Sequence, residues 1–328
     1  MKARIIGTGS YLPKRVLTNQ DLEKIVETSD EWIFTRTGMK ERRIAAAEEF
    51  TSQMGAHAAR AALADAGIAT EDLDLILVAT ITPDYVFPST ACLIQQEIGA
   101  KNAGGMDVQA ACTGYIYCLA MAKAFIESGM YRNILVIAAE KLSSITDYTD
   151  RSTCVLFGDG AAACVVSNQG AGLVLKGVEL GADGEQAQLL MLPAGGCRKP
   201  PSAETVAQRE HFVKMAGNEV FKHAVRRMES ACKSCLDAAG VSETEVGWVV
   251  PHQANSRILD AIAKRFTHLP EDRIYRTVHK YGNTSASSVG IALHELLKGG
   301  SVGDADYVLL TAFGGGFTWG ALLLQQES

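Results

Sequence analysis

No run of apolar residues in this 328-residue chain approaches the roughly 20 that a bilayer-spanning helix needs, so membrane insertion is not expected. A basic stripe is also missing: 31 Lys and Arg against 37 Asp and Glu leave a net charge of −6, which argues against a nucleic-acid partner. The eight cysteines (92, 112, 118, 154, 164, 197, 232 and 235) lie mostly in apolar helix or strand patterns and form no disulfide framework. A reducing, cytoplasmic setting is expected. Met1 to Gly9 passes from two basic residues into a short strand, without the apolar stretch and small-residue cleavage site of a secretory signal. Two nucleotide-binding signatures are incomplete. Gly7-Thr8-Gly9 lacks the third glycine of a dinucleotide fingerprint and Pro13 follows, while Phe313-Gly314-Gly315-Gly316 lacks the Lys-Ser/Thr ending of a P-loop. Cys232-Lys233-Ser234-Cys235 has zinc or redox spacing but lies inside a helical pattern with no second ligand pair. Helix packing is the reading, and no metal is expected.

What remains is a globular composition, 47% hydrophobic and 21% charged, long enough for one large or two ordinary domains. Short continuous apolar runs at Leu75 to Ala79, Ile134 to Ala138, Ala161 to Val166, Trp248 to Val250 and Tyr307 to Thr311 read as buried strands. Helical patterns lie between them, as at Ser52 to Ala66 and Asn218 to Ala239. The alternation predicts an α/β fold with a mostly parallel core covered on both faces. The halves resemble each other: Gly67 and Gly240, Leu135 and Val308, and Cys112 and Ser285 occupy matching places, each pair separated by 173 residues. A duplicated α/β half follows, with a boundary near Asn168-Gln169-Gly170 that divides the chain into 1–170 and 171–328. Gly181 to Gln208, with Gly195-Gly196 and Pro200-Pro201, reads as a long surface excursion of the kind that covers a substrate.

Three loops carry candidate chemistry. Met106 to Ala111 is strand-like and a helical pattern begins near Ile116, which places Cys112 at a strand-to-helix turn. Unpaired N–H groups and the dipole at a helix start favour thiolate over thiol, though a buried cysteine packing as a small hydrophobe is the plainer reading. His252 follows a buried strand directly, at the end where α/β folds place functional loops, unlike the other six histidines. Asn283 stands at the start of the helix that the repeat pairs with the Cys112 helix, where a cap is the alternative role. If a pseudo-twofold axis relates the halves, Cys112, His252 and Asn283 converge. The glycines from Gly314 to Gly316 allow a backbone N–H to face an oxyanion.

These motifs, together with Gly7 to Pro13, Asp30-Glu31-Trp32-Ile33, Phe157-Gly158-Asp159-Gly160-Ala161, Met215-Ala216-Gly217-Asn218 and His252-Gln253-Ala254-Asn255, run in order nearly end to end. The chain resembles the β-ketoacyl-acyl-carrier-protein synthase III family, the priming condensing enzymes of type II fatty acid synthesis in the thiolase superfamily. The resemblance implies a thiolase-like five-layered αβαβα fold of two duplicated halves, a homodimer, and a Cys112-His252-Asn283 triad. Asn283 supports the priming type, because elongating synthases of the superfamily carry a second His in its place.

By the same resemblance, Cys112 takes an acyl group from acyl-CoA, with acetyl-CoA the expected primer, while Cys112 and Gly315 N–H groups hold the oxyanion. His252 and Asn283 then assist loss of CO₂ from malonyl-acyl carrier protein, with no cofactor. Trp32 and Arg151 are expected to sandwich the CoA adenine, with Thr28, Arg36, Gly217, Asn218, Phe221 and Asn255 along the CoA path. Arg257 and Lys222 are expected to meet the acidic carrier protein, and Phe87 to bound the acyl pocket from across the dimer interface. Thr113, Tyr115 and Ser287 stand where the family varies. Three rival readings remain at this point: a thiolase-fold ketosynthase using malonyl-CoA, a Cys-His-Asn hydrolase, and a CoA-binding scaffold with an inert Cys112.

Overall fold

Each of the five apolar runs is a strand: Leu75–Ala79, Asn133–Glu140, Gly160–Ser167, Val246–Pro251 and Tyr307–Gly314. They belong to a computed structural model that describes residues 1–303 and 306–327. Successive side chains of a strand point to opposite faces, and here both faces are apolar. Leu75, Leu77, Ile134, Val136 and Cys164 join one core, whereas Ile76, Val78, Leu135, Ile137 and Val165 join another. The chain therefore has to supply a helix layer on each side.

Helices Gly114–Glu127 and Ser287–Lys298 form the middle layer. Ile116, Leu119, Ala122, Val289, Ala292 and Leu293 pack between the strands just named and a second set that contributes Trp248, Val250, Leu310 and Leu322. Helices Thr51–Ala66 and Thr90–Ile98 cover the first set from outside, and Gly217–Ala239 with Ser256–Ala263 cover the second. The result is the five-layered αβαβα arrangement of a thiolase-like fold. The outer helices Thr51–Ala66 and Gly217–Ala239 both stop at a left-handed glycine, Gly67 (φ 65°, ψ 28°) and Gly240 (φ 66°, ψ 28°), so the helix-to-strand geometry recurs as the sequence spacing does. Among the described residues no helix is long and apolar enough to cross a membrane.

The expectation of a mostly parallel core is corrected. In the nine-stranded hydrogen-bonded sheet only Leu75–Ala79 with its two neighbours and Val246–Pro251 with Tyr307–Gly314 pair in parallel. The other five pairings are antiparallel, including Tyr307–Gly314 with Thr318–Glu327 across a short glycine turn. Burial on both faces gives these strands the continuous apolar composition usually diagnostic of parallel strands, so composition alone misleads about direction. Cys232 and Cys235 lie on the inner face of Gly217–Ala239 against Leu309 and Leu323, in accord with helix packing, and all eight cysteines are free.

Asn283 is carried on a loop that two glycines make possible. Its backbone N–H donates to Leu156 O at 2.9 Å, and its carbonyl accepts from Gly158 N at 3.0 Å. A Cβ on Gly158 would stand 2.4 Å from Tyr281 O, and Gly282 adopts φ +63° beside Leu156 O. Next to them, fully buried Asp159 accepts from the backbone N–H groups of Ala45 and Ser143, both at 2.8 Å, and from Ser143 Oγ at 2.6 Å. Gly158→Ala should therefore force these backbones apart and cost on the order of 1–3 kcal/mol, the usual range for overpacking. Chemical denaturation checks this, and an unchanged midpoint would show that the loop has slack.

Candidate active site

A cavity of about 800 Å³ opens between the two strand sets, and Cys112, His252, Asn283 and Gly315 all line it. They arrive separately. Cys112 sits in the tight turn Ala111–Thr113 at the head of the middle-layer helix, His252 leaves the end of Val246–Pro251, and Asn283 precedes the other middle-layer helix. Each is nearly buried, at 8%, 3% and 7% exposure respectively. Ala111 (φ 46°) and Ser285 (φ 51°) hold left-handed conformations that non-glycine residues rarely adopt, one at each helix head.

The glycine loop meets the cysteine turn backbone to backbone. A Cβ on Gly314 would fall 2.6 Å from Cys112 N. Thr318 Oγ1 donates to Ala110 O at 2.9 Å, and Thr113 Oγ1 donates to Thr318 O at 3.2 Å, so the loop holding Gly315 is tied to the turn holding Cys112.

The loop of His252 is fixed from both sides. His252 N donates to Thr311 O at 2.8 Å. The fully buried Gln253 amide donates to Pro251 O (2.7 Å) and Tyr275 O (3.1 Å), and its oxygen accepts from Thr277 N (2.7 Å) and Val278 N (3.1 Å). Asn283 Oδ1 accepts from Ser285 N at 2.8 Å, which leaves the Nδ2 hydrogens as the donors Asn283 offers to a ligand.

Desolvation dominates the electrostatics. Burial pushes the Cys112 thiol up to about 12; the Ser285 hydroxyl and the cysteine's own backbone N–H act against this, and the Glu140 charge adds to it. The expected thiolate at the helix head is thus opposed by a larger burial effect, and the resting group at neutral pH is a thiol. Burial likewise pulls His252 down to about 3, so its imidazole is neutral.

Glu140, which the sequence reading did not single out, lies outside the cavity lining but close enough for its charge to bear on Cys112. It is fully buried at the end of Asn133–Glu140, where its Oε2 accepts from Thr82 Oγ1 (2.7 Å), Ile81 N (3.1 Å) and Thr80 Oγ1 (3.2 Å). Burial raises its carboxyl to about 7, against the pull of these donors and of Ser285. The only sequence signal was a carboxylate ending an apolar strand run.

Further out, Trp32, Arg36, Gly217, Asn218, Phe221, Asn255 and Arg257 line the same cavity, with Arg36 and Arg257 exposed at its mouth. Thr28, Arg151, Lys222 and Phe87 are not among the lining residues. Arg151 nevertheless stacks on Trp32, its guanidinium carbon 4.8 Å from the ring centre, and Arg36 stacks on the same ring at 4.9 Å. Lys222 pairs with Glu219 at 2.8 Å on the surface, and Phe87 is 85% exposed. The Asn255 side chain is engaged within the protein, accepting from Arg257 N at 2.9 Å as a helix cap and donating to Arg36 O at 3.2 Å.

The excursion after Gly181 does cover the cavity. Ala187, Leu190 and Met191 line it, Leu190–Met191 pairs with Lys214–Met215, and the Arg209 guanidinium grips buried Asp147 through two hydrogen bonds. The inner wall is apolar: Ile81, Leu142, Ile145, Phe157 and Val213.

Comparison with known proteins gives a consistent set of relatives. The model of 3-oxoacyl-[acyl-carrier-protein (ACP)] synthase III matches residues 106–184, which include Cys112, and the model of its C-terminal part matches 236–326, which include His252, Asn283 and Gly315. The β-ketoacyl-[acyl-carrier-protein] synthase III of Chlamydia trachomatis serovar D is 59% identical over 327 residues, covering 99% of this chain and 100% of the relative. That of Caldanaerobacter subterraneus subsp. tengcongensis is 51% identical, covering 98% and 97%. The crystal structure of 3-oxoacyl-[acyl-carrier-protein] synthase III from Aquifex aeolicus VF5 superposes with a TM-score of 0.91 at 50% identity, covering 98% of this chain and 99% of the other.

Two measurements test the electrostatics. A thiol raised this far should be alkylated by iodoacetamide at a rate that climbs about tenfold per pH unit from about pH 7 to pH 9, because only the thiolate reacts; a plateau near neutrality would show an activated thiolate. Glu140, with its folded value near 7 above the ordinary 4.5, favours the fold below about pH 4.5, and this contribution is lost as pH rises through 7. Glu140→Gln, which keeps an accepting oxygen, should therefore gain stability relative to the parent between pH 5 and pH 8. Parallel curves for the two proteins would contradict it.

Proposed function

This chain belongs to the 3-oxoacyl-[acyl-carrier-protein] synthase III family, acyltransferases that catalyse condensation in fatty acid biosynthesis, and from that premise we propose how its own residues divide the reaction. The carrying observation is the convergence of Cys112, His252 and Asn283, from three separate loops and each nearly buried, on one cavity.

In the first half-reaction Cys112 Sγ attacks the thioester carbonyl carbon of an acyl-CoA, with acetyl-CoA the proposed primer. The oxyanion is held by the N–H groups of Cys112 and Gly315. Collapse breaks the bond to the CoA sulfur, and the proton lost by Cys112 leaves with CoA. In the second, malonyl-acyl carrier protein places its thioester carbonyl at His252 and the Nδ2 of Asn283. The malonyl carboxylate departs as CO₂, and the electron pair of the broken C–C bond becomes an enolate whose oxygen these two donors stabilise. The enolate carbon attacks acyl-Cys112, the new C–C bond forms, and the released sulfur takes up a proton. Atoms and charge balance once the released sulfur takes that one proton from solvent, and no step calls for a redox co-reactant. The apolar wall around Phe157 and Leu142 disfavours a bound carboxylate and favours its loss as CO₂.

The Trp32 and Arg151 stack supports a site for the CoA adenine at the mouth, with Arg36, Gly217, Asn218, Phe221 and Asn255 along the lining inward and Thr28 outside that lining. Asn255 would contribute there mainly by holding the loop. Arg257 and Lys222 would receive the acidic carrier protein. A homodimer is supported by the exposed apolar run Tyr85, Val86 and Phe87, at 61%, 92% and 85% exposure, and by the edge position of strand Gly104–Val108; Phe87 would then reach the partner's acyl pocket. The recurring helix-to-strand geometry supports halves at 1–170 and 171–328.

Separating the two half-reactions tests the assignment. Cys112→Ser should abolish acyl transfer yet retain release of CO₂ from malonyl-acyl carrier protein, whereas His252→Ala should lower that release by about a hundredfold or more. Undiminished decarboxylation in the His252 variant would mean that another group stabilises the enolate oxygen.

A further inference from the structure

We propose that the Ser288 hydroxyl selects the tautomer of His252, leaving Nδ1 bare and presenting Nε2–H to the substrate carbonyl. This deepens the reading of His252 as a donor in decarboxylation and rests on it. Ser288 lies in the first turn of Ser287–Lys298 and is 2% exposed. Its Oγ stands 2.6 Å from His252 Nδ1 and 3.3 Å from the backbone nitrogen of Gln253.

A hydroxyl has one hydrogen to donate and two lone pairs to accept with. The Gln253 N–H can only donate, so it occupies a lone pair of Ser288. Were His252 Nδ1 also to donate, the Ser288 hydrogen would need a third partner, and among the described residues its oxygen makes no other hydrogen bond. The hydrogen therefore goes to Nδ1. Neutral imidazole carries a single proton, so that proton is on Nε2. Burial keeps the ring neutral, which excludes the doubly protonated form that would reverse the hydrogen bond.

Ser287 cannot substitute. Its own hydroxyl donates to Thr284 O at 2.9 Å, so of the adjacent serines only Ser288 faces the histidine. Ser288 touches no reacting atom and is a positioning residue. One consequence follows for the first half-reaction: with Nε2 protonated, His252 is a donor and not the acceptor of the Cys112 proton, in accord with that proton leaving on CoA.

The decisive spectrum is that of the parent enzyme, with His252→Ala serving only to assign the resonance. Nitrogen-15 resonances of the parent enzyme labelled at histidine should show one buried imidazole, absent from His252→Ala, with a bare Nδ1 and a protonated Nε2. A protonated Nδ1 would overturn the inference. Kinetically, Ser288→Ala should slow CO₂ release from malonyl-acyl carrier protein about tenfold more than it slows acylation of Cys112, and Ser288→Thr, which keeps the hydroxyl, should restore most of the loss. If His252→Ala decarboxylates at the parental rate, the role of His252 itself fails. If that variant is impaired but Ser288→Ala is not, the failure belongs to Ser288 alone.

Discussion

Burial of polar side chains at the inner wall of one cavity is the constraint on which the rest depends. The fold buries Cys112, His252 and Asn283 at the cavity wall and Glu140 outside its lining, so each polar group loses hydration and must find its partner in the protein or, at the wall, in the substrate. The consequences differ by group. The thiol keeps its proton, the imidazole stays neutral with a single proton, and the carboxyl is raised to about 7, all because burial penalises the charged form. A carbonyl oxygen that becomes anionic in such a place meets fixed N–H donors, which is where electrostatic stabilisation is largest.

Holding three loops at one point requires close backbone approach, and the sequence meets that need with small residues in particular places. Gly314 lets a strand end abut the Cys112 turn, and Gly158 and Gly282 let the Asn283 loop pass Leu156 and Tyr281. Buried Asp159 and Gln253 then lock the neighbouring loops by accepting or donating several hydrogen bonds each. The family's motifs thus divide into residues that face the cavity and residues that fix its walls.

Much of this was legible in the sequence. Cys112 stands out at a strand-to-helix turn, His252 after a buried strand and Asn283 at a helix start, because all three are set by local pattern. Strand direction was not, since residues such as Val165 and Leu322 are apolar for burial on two faces whichever way their neighbours run. Glu140 and Ser288 were missed for a different reason. Their roles come from Thr82 and His252, which are 58 and 36 residues away in the chain, and nothing in their immediate sequence announces those meetings. The helix dipole expected to activate Cys112 is visible in a sequence, and the depth of burial that opposes it is not.

The central claim is that Cys112 carries the acyl chain between two substrates inside this pocket. Intact-protein mass spectrometry after mixing with acetyl-CoA, followed by malonyl-acyl carrier protein, tests it most directly. The account predicts an acetyl adduct that maps to Cys112 and disappears as the β-ketoacyl product forms. An enzyme that forms product with no adduct, or with an adduct on another residue, would contradict it.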